Sequence, residues 1–277
     1  MNILTKHILG KIQNTLIEHI IQENIEDASD AIKETLTELY NAIPENKRIS
    51  YGTYYTIRIL SKQLYDELTA KTQSLYQKIS PLFSFREDYK VSCVCLGILS
   101  WHAIEKKDHI KKIIPFFKQS AIDESWIMRE TAAGLFQKMI KKYPKEIKPY
   151  LQQFSTNPHP YLRRFVSETL RPVAENQWIQ KQPEYSLSIL RNMFTESSAY
   201  PRTSVGNNLS DLARRNPELI YTIVEKLVQS GNKQSYWIAT RACRNLIKKE
   251  PLRVLNLLNT DEYKYKKTVV RRKDILI

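Results

Sequence analysis

Apolar residues recur at helical spacing through nearly the whole chain. Ile8, Ile12, Leu16 and Ile20 fall every four residues, one stripe of an amphipathic helix. Leu36, Leu39 and Tyr40 belong to a second helix that ends before Pro44, and residues 43–50 (IPENKRIS) read as a loop. Pairs of helices follow. Their boundaries are expected near Pro81, Pro115, Pro144, Pro158 and Pro183, because proline lacks the N–H that continues a helical ladder. No strand-like alternation competes, and the pattern predicts an all-α protein.

The second half repeats itself. WIMRETAAGLFQKM, YLRRFVSETLRPV, YPRTSVGNNLSDLARRNP and YWIATRACRNLIKKEP each open with an aromatic residue and an arginine, then continue with small and apolar residues at helical spacing. Arg129, Arg163, Arg202 and Arg241 mark the four segments at spacings of 34, 39 and 39 residues. A second helix follows each, such as residues 218–228. A period of about 40 residues with two helices per unit is that of HEAT-like arrays, which must stack to bury their faces. The expected architecture is an α-solenoid, or superhelix, with a basic concave face. Residues 1–120 would form an N-terminal helical region, 121–260 the repeats that carry the site, and 261–277 a basic tail, read as a mobile appendage that can add to phosphate binding.

Charge narrows the partners. The 277 residues carry a formal +14, yet residues 1–140 hold 18 Lys/Arg against 17 Asp/Glu while residues 141–277 hold 25 against 12. An excess confined to one half suits a polyanion, with nucleic acid ahead of an anionic membrane surface. No apolar run reaches the roughly 18–20 residues of a membrane span, and the N-terminus has no secretory-signal core, so a cytoplasmic protein is expected. Cys93, Cys95 and Cys243 form no CxxC and no cluster with histidine, which predicts reduced core residues and no metal site.

Three segments, in order, carry a family resemblance: RRFVSETLRP (163–172), YPRTSVGNNLSDLARRNPEL (200–219) and RACRNLIKK (241–249). They resemble the HEAT-like-repeat DNA alkylation-repair glycosylases of the AlkC-type branch, with WIMRE (126–130) extending the match weakly. Gly206 stands where the family usually has Ala, and Ser210 where it has Asn. Longer family members continue into an immunoglobulin-like domain, and the resemblance here is to the shorter form. It implies hydrolysis of the N-glycosidic bond of cationic alkylpurines such as 3-methyladenine in double-stranded DNA. It also implies that no cofactor or metal is needed and that the base is not flipped into a deep pocket. A monomer is expected.

The chemistry asks for anionic groups near a sugar that becomes oxocarbenium-like, with a positioned water. Asp211 is the first candidate: it sits inside a helix, where Asp is a poor former, and matches the family's carboxylate position. Its alternative role is a salt bridge to Arg214 or Arg215. Glu168 is next, with a solvated or arginine-paired role as the alternative, and Glu130 matches a third acidic position or pairs with Arg129 or a neighbouring repeat. Trp178 is the aromatic candidate, against a plain core role, while Trp126 and Trp237 are explained by packing between repeats. Asn207 and Asn208 either contact DNA or link helices. For phosphates the candidates are Arg163, Arg164, Arg202, Arg241, Arg244, Lys248 and Lys249, some of which are expected to be ion pairs between repeats. Two other readings stay open: an array that binds branched or distorted DNA without excision, and a protein-interaction scaffold.

Overall fold

The computed structural model describes residues 1–275. The chain divides into two compact units, Met1–Met139 and Ile140–Ile277. Both are built from helices, as the periodicity requires. Among the described residues no helix is long and apolar enough to cross a membrane.

In the first unit, α1 (Lys6–Lys11) runs through a π-helical turn (Ile12–Leu16) into α2 (Ile17–Gln22). Thr5 caps α1 by accepting the Ile8 N–H, and the stripe read from the sequence is buried along its length. Then come α3 (Ile25–Asn41), α4 (Arg48–Lys71), α5 (Leu75–Phe85), α6 (Tyr89–Glu105), α7 (Ile110–Ala121) and α8 (Trp126–Lys142), whose last turn crosses the unit boundary. The loop expected over 43–50 is shorter than that, because α4 already begins at Arg48 and is interrupted only at Gly52.

The centre of this unit is α6, packed against α4, α5 and α7. Every residue from Val91 to Ser100 is buried, so the helix has no polar face to show. Cys93 and Cys95 lie here, and Cys243 in the second unit is also a buried free thiol. Burial pushes the Cys93 and Cys243 thiols up to about 12, which makes them packing residues rather than nucleophiles. α4 and α6 meet closely at Gly97, where an added Cβ would stand 2.6 Å from the Cβ of Ser61 and closer still to its hydroxyl.

Two expected boundaries are corrected. Pro81 lies inside α5 and Pro115 inside α7. Each removes one ladder bond, but Leu82 and Phe83, and Ile114 and Phe117, are buried beside them, and that burial outweighs the missing bond. Pro144 and Pro183 do open helices, as do Pro160, Pro217 and Pro251. At a first helical position the absent N–H has no partner to lose.

The second unit comprises α9 (Pro144–Ser155), α10 (Pro160–Thr169), a 3-10 stretch (Ala174–Gln180), α11 (Pro183–Leu190), α12 (Ala199–Leu212), α13 (Pro217–Gln229), α14 (Lys233–Ala242) and α15 (Pro251–Leu257). α10, α12 and α14 lie side by side as one layer, while α9 meets α11 and α13 meets α15 in the other. This is the two-layer stacking of helical repeats that the 34- to 39-residue spacing predicts. Amides tie neighbouring helices within the first layer: buried Asn208 of α12 donates to the Ser167 carbonyl of α10 at 2.8 Å, and half-buried Asn245, just past α14, to the Ser210 carbonyl of α12 at 2.8 Å.

The tail is not a mobile appendage. It folds as an antiparallel hairpin, β1 (Glu262–Tyr265) and β2 (Thr268–Arg271), with Tyr263 opposite Val270 and Tyr265 opposite Thr268. Tyr263 and Tyr265 alternate with Glu262 and Lys264, so one face of the strand is aromatic. The Tyr263 ring is buried, and its hydroxyl donates to the Thr240 carbonyl at 3.0 Å.

Gly97→Ala should destabilise the first unit by about 1–3 kcal/mol in urea unfolding, through overpacking, and adding Ser61→Gly should recover most of the loss. His102 is 2% exposed and packs edge-on against His109, and burial first, then His109, Lys106 and Lys112, lowers its pKa to about 4. Unfolded, it titrates near ~6.5, so between those values the unfolded chain binds the extra proton. Stability should therefore be complete above about pH 6.5 and fall as the pH drops toward 4. His102→Phe should flatten that window in pH-dependent melting.

Candidate functional site

The second unit gathers its charged residues along the layer of α10, α12 and α14. Asp211, in the last turn of α12, is 1% exposed. A carboxylate so deep needs compensating donors. Arg171, just past α10, donates to its Oδ2 through Nε at 3.0 Å and Nη2 at 2.6 Å. On Oδ1 stand Arg244, just past α14, at 3.4 Å and Arg214 at 3.5 Å. Gln180 holds the Asp211 carbonyl at 3.0 Å. The salt bridge to Arg214 weighed from the sequence is thus real, but Arg171 makes the shorter bond.

Glu168 lies in the last turn of α10. It accepts from the Ser204 hydroxyl of α12 at 2.6 Å and pairs with Arg164 at 3.0 Å and Arg171 at 3.5 Å. Arg171 therefore touches both carboxylates and fixes their relation. Burial opposes its charge, but the hydrogen bond to Asp211 and both nearby carboxylates raise its pKa above the ordinary value. Sequence reasoning left Arg171 out of the site. The signal was available: it stands 40 residues before Asp211, one repeat period away.

A second polar group borders the first. Asn207 accepts from Arg241 Nε at 2.9 Å and Arg244 Nη1 at 3.2 Å. Over these guanidiniums lies Tyr265 of β1, its ring 5.3 Å from Arg241 and 5.7 Å from Arg244. The bond from Arg244, against the effect of burial, lowers the Tyr265 phenol below its usual range. Tyr265 was missed because the tail was read by charge and not by its alternation. Gly206 serves the same contact, since a Cβ there would come within 2.9 Å of the Arg241 side chain.

The other candidates divide. Asn208 is fully buried and holds α10 to α12, so its expected DNA contact is overturned in favour of the helix link. Arg163 forms a bidentate pair with buried Glu196, 2.6 Å and 2.9 Å, and also holds the carbonyls of Asn157 and Pro158. It is a strut between repeats. Arg202 likewise donates to Gln234 and the Ser197 carbonyl, with its guanidinium over Trp237. Arg164 stacks 4.1 Å from the Tyr200 ring. Lys248 and Lys249 are exposed. Trp178 directs its indole N–H to Asn176 at 3.2 Å and leans on Tyr185, contacts that match its packing alternative.

Glu130 belongs to the first unit. It is exposed on α8 and, with Trp126 and Tyr51, lines an open groove of about 720 Å³. Among the described residues no group of three or more His, Cys, Asp or Glu is arranged to hold a metal ion.

Arg164, Arg171, Arg214 and Arg244 thus surround two carboxylates, and Arg241 joins Arg244 on Asn207 beside them. Such a surface attracts anions through its rim and keeps negative charge within it. The Arg163–Glu196 strut is testable by pH. Burial pushes the Glu196 carboxyl up, but Arg163 and the Ser198 N–H pull it below its usual range. The unfolded chain then binds more protons in acid, so the contribution is present above about pH 4.3 and lost as the pH falls through the lower, folded value. Glu196→Gln should cost about 1–3 kcal/mol at pH 7 in urea unfolding, and the gap to wild type should close below about pH 4.

The family model described as DNA alkylation repair enzyme matches residues 12–246. The uncharacterized protein YhaZ of Bacillus subtilis (strain 168) is 29% identical over 113 residues, 39% of this chain and 31% of that protein. The matched stretch thus spans about a third of that relative. Among solved structures, the Pseudomonas fluorescens alkylpurine DNA glycosylase AlkC, bound to DNA containing an abasic site analog, aligns with a TM-score of 0.62 at 22% identity. The alignment covers 92% of this chain and 69% of that one. AlkD2 from Streptococcus mutans aligns at 0.57 and 19% identity, over 77% of this chain and 98% of that one. At these identities the likeness is one of fold.

Proposed function

Since the chain belongs to the DNA alkylation repair enzyme family, we propose that it is a monofunctional DNA glycosylase that releases cationic alkylated purines such as 3-methyladenine from double-stranded DNA. One observation carries the reading: two carboxylates, Asp211 and Glu168, are held on a single guanidinium inside a basic cluster. Phosphate binding alone has no use for them.

A base alkylated at N3 or N7 already bears positive charge, so the C1′–N bond breaks with its electron pair going to the base, which leaves neutral. The sugar becomes oxocarbenium-like, and anionic groups beside it lower the barrier. Asp211 and Glu168 supply that charge, one of them accepting the proton of the water that attacks C1′. Arg171 orients both, and phosphate oxygens compete for the surrounding guanidiniums when DNA arrives. The leaving group needs no protonation and the base no deep pocket. Trp178 takes the role of aromatic partner of the cationic nucleotide. Arg164, Arg241, Arg244, Lys248 and Lys249 hold phosphates, with Arg163 and Arg202 behind them as struts and Asn207 orienting the Arg241–Arg244 pair. The protein acts as a monomer in the cytoplasm, without metal or cofactor.

A second reading, an array that binds branched or distorted DNA without excision, is favoured by the engagement of both Asp211 oxygens with arginine. Release of free base from methylated duplex DNA separates the two. Wild type should release it, and Asp211→Asn should be slower by about 10²–10³-fold with duplex affinity retained. Tight binding without release by wild type would select the second reading. Equal release by both proteins would remove Asp211 from the chemistry.

A further inference from the structure

The C-terminal hairpin is not explained by the carboxylates. Its base is fastened twice. Tyr263 is buried against α14, and Arg272 donates to Asp261 and Asn256, both at 2.7 Å. A base so fixed gives the tip a direction. Tyr265 ends β1 with its ring over Arg241 and Arg244, and its hydroxyl accepts from Arg244 at 3.5 Å. Because Tyr265 pairs with Thr268, the turn consists of Lys266 and Lys267 alone.

Those two residues are an unusual choice. Two-residue hairpin turns favour Asn-Gly because the backbone must enter the left-handed region. Lys266 stands there, at φ +53°, with a full side chain. The cations of the hairpin also separate into two kinds. Arg271 is paired with Glu262 and Arg272 with Asp261. Lys266 and Lys267 are exposed and form no ion pair among the described residues. Two exposed ammonium groups without an ion pair thus stand beside the ring that covers the guanidiniums of Arg241 and Arg244, Lys266 Nζ lying 5.8 Å from the centre of Tyr265. Lysine serves phosphate as a hydrated point charge that needs no fixed geometry.

We infer that the hairpin is an arm that binds the DNA backbone, Lys266 and Lys267 contacting phosphates adjacent to those held by Arg241 and Arg244. This rests on the reading of the chain as a protein that acts on DNA. The arm is distinct from the carboxylates: it governs grip on the duplex and takes no part in breaking the bond.

The test replaces the tip by the turn that hairpins prefer, Lys266→Asn with Lys267→Gly, so that the charges go while the fold is favoured. Affinity for a duplex is measured against salt concentration, with thermal melting as a control. Each phosphate contact contributes about −0.9 to the slope of log K against log salt, so the variant's slope should be shallower by about 1–2 units at unchanged melting temperature. Arg253→Gln, which removes a guanidinium already held by Glu218 and Glu250, should keep the wild-type slope. A tip variant with the wild-type slope overturns the arm and leaves the glycosylase reading intact. Absence of salt-dependent duplex binding by wild type overturns both. An unchanged DNA slope with lost binding to phosphatidylserine vesicles would reassign the arm to an anionic lipid surface.

Discussion

Asp211 is a charged group almost fully withdrawn from water near the end of a helix, and the second unit is organised around satisfying it. An isolated carboxylate there would cost several kcal/mol, more than most single interactions can return. The compensation comes from separate parts of the chain: Arg171 after α10, Arg244 after α14, and Gln180 of the 3-10 stretch on its carbonyl. Three successive repeats are thereby held in register at one residue. The guanidinium that satisfies Asp211 also reaches Glu168, so the geometry of the two acids is set by the same bond that makes burial tolerable.

A second device recurs along the layer. Arg129, Arg163 and Arg202 each turn back to carbonyls of the loop before their own helix. Arg163 and Arg202 also reach forward, to Glu196 in the next loop and to Gln234 in the first turn of α14. Each such arginine has a loop and a neighbour to hold, which leaves little of it for a ligand. Arg241, in the last of the four segments, instead shares Asn207 with Arg244 beneath Tyr265. The repeat motif is therefore mostly a fastening motif, and its end is where the same residue type is turned toward a surface.

Much of this was legible in the chain. The helical period predicted the helices because every repeat must bury one face; the stripe from Ile8 to Ile20 is buried, as are Leu36 and Leu39, while Tyr40 is exposed. Asp211 and Glu168 stood out by residue type and motif, and the structure brings them together. Where reasoning failed, a local rule met a non-local force. Pro81 and Pro115 obey proline's rule only until the apolar residues beside them find a core. The tail showed its charge plainly, while its strand character rested on two tyrosines whose weight depends on α14 being there to receive them.

The sequence by itself determined what repeats and what is charged: helices of a given period, an acid where helices avoid acids, and an excess of cations confined to one half of the chain. Those are properties of neighbours along the backbone. Which arginine serves a carboxylate and which serves a loop, that Asn208 is buried while Asn207 faces the guanidiniums, and that a basic tail lies over them as a hairpin were decided only by the tertiary structure. The pairs Arg163–Glu196, Arg171–Asp211 and Arg241–Asn207 are made between residues 33 to 40 positions apart, and a guanidinium on a flexible stem has no preferred partner until packing brings one within reach.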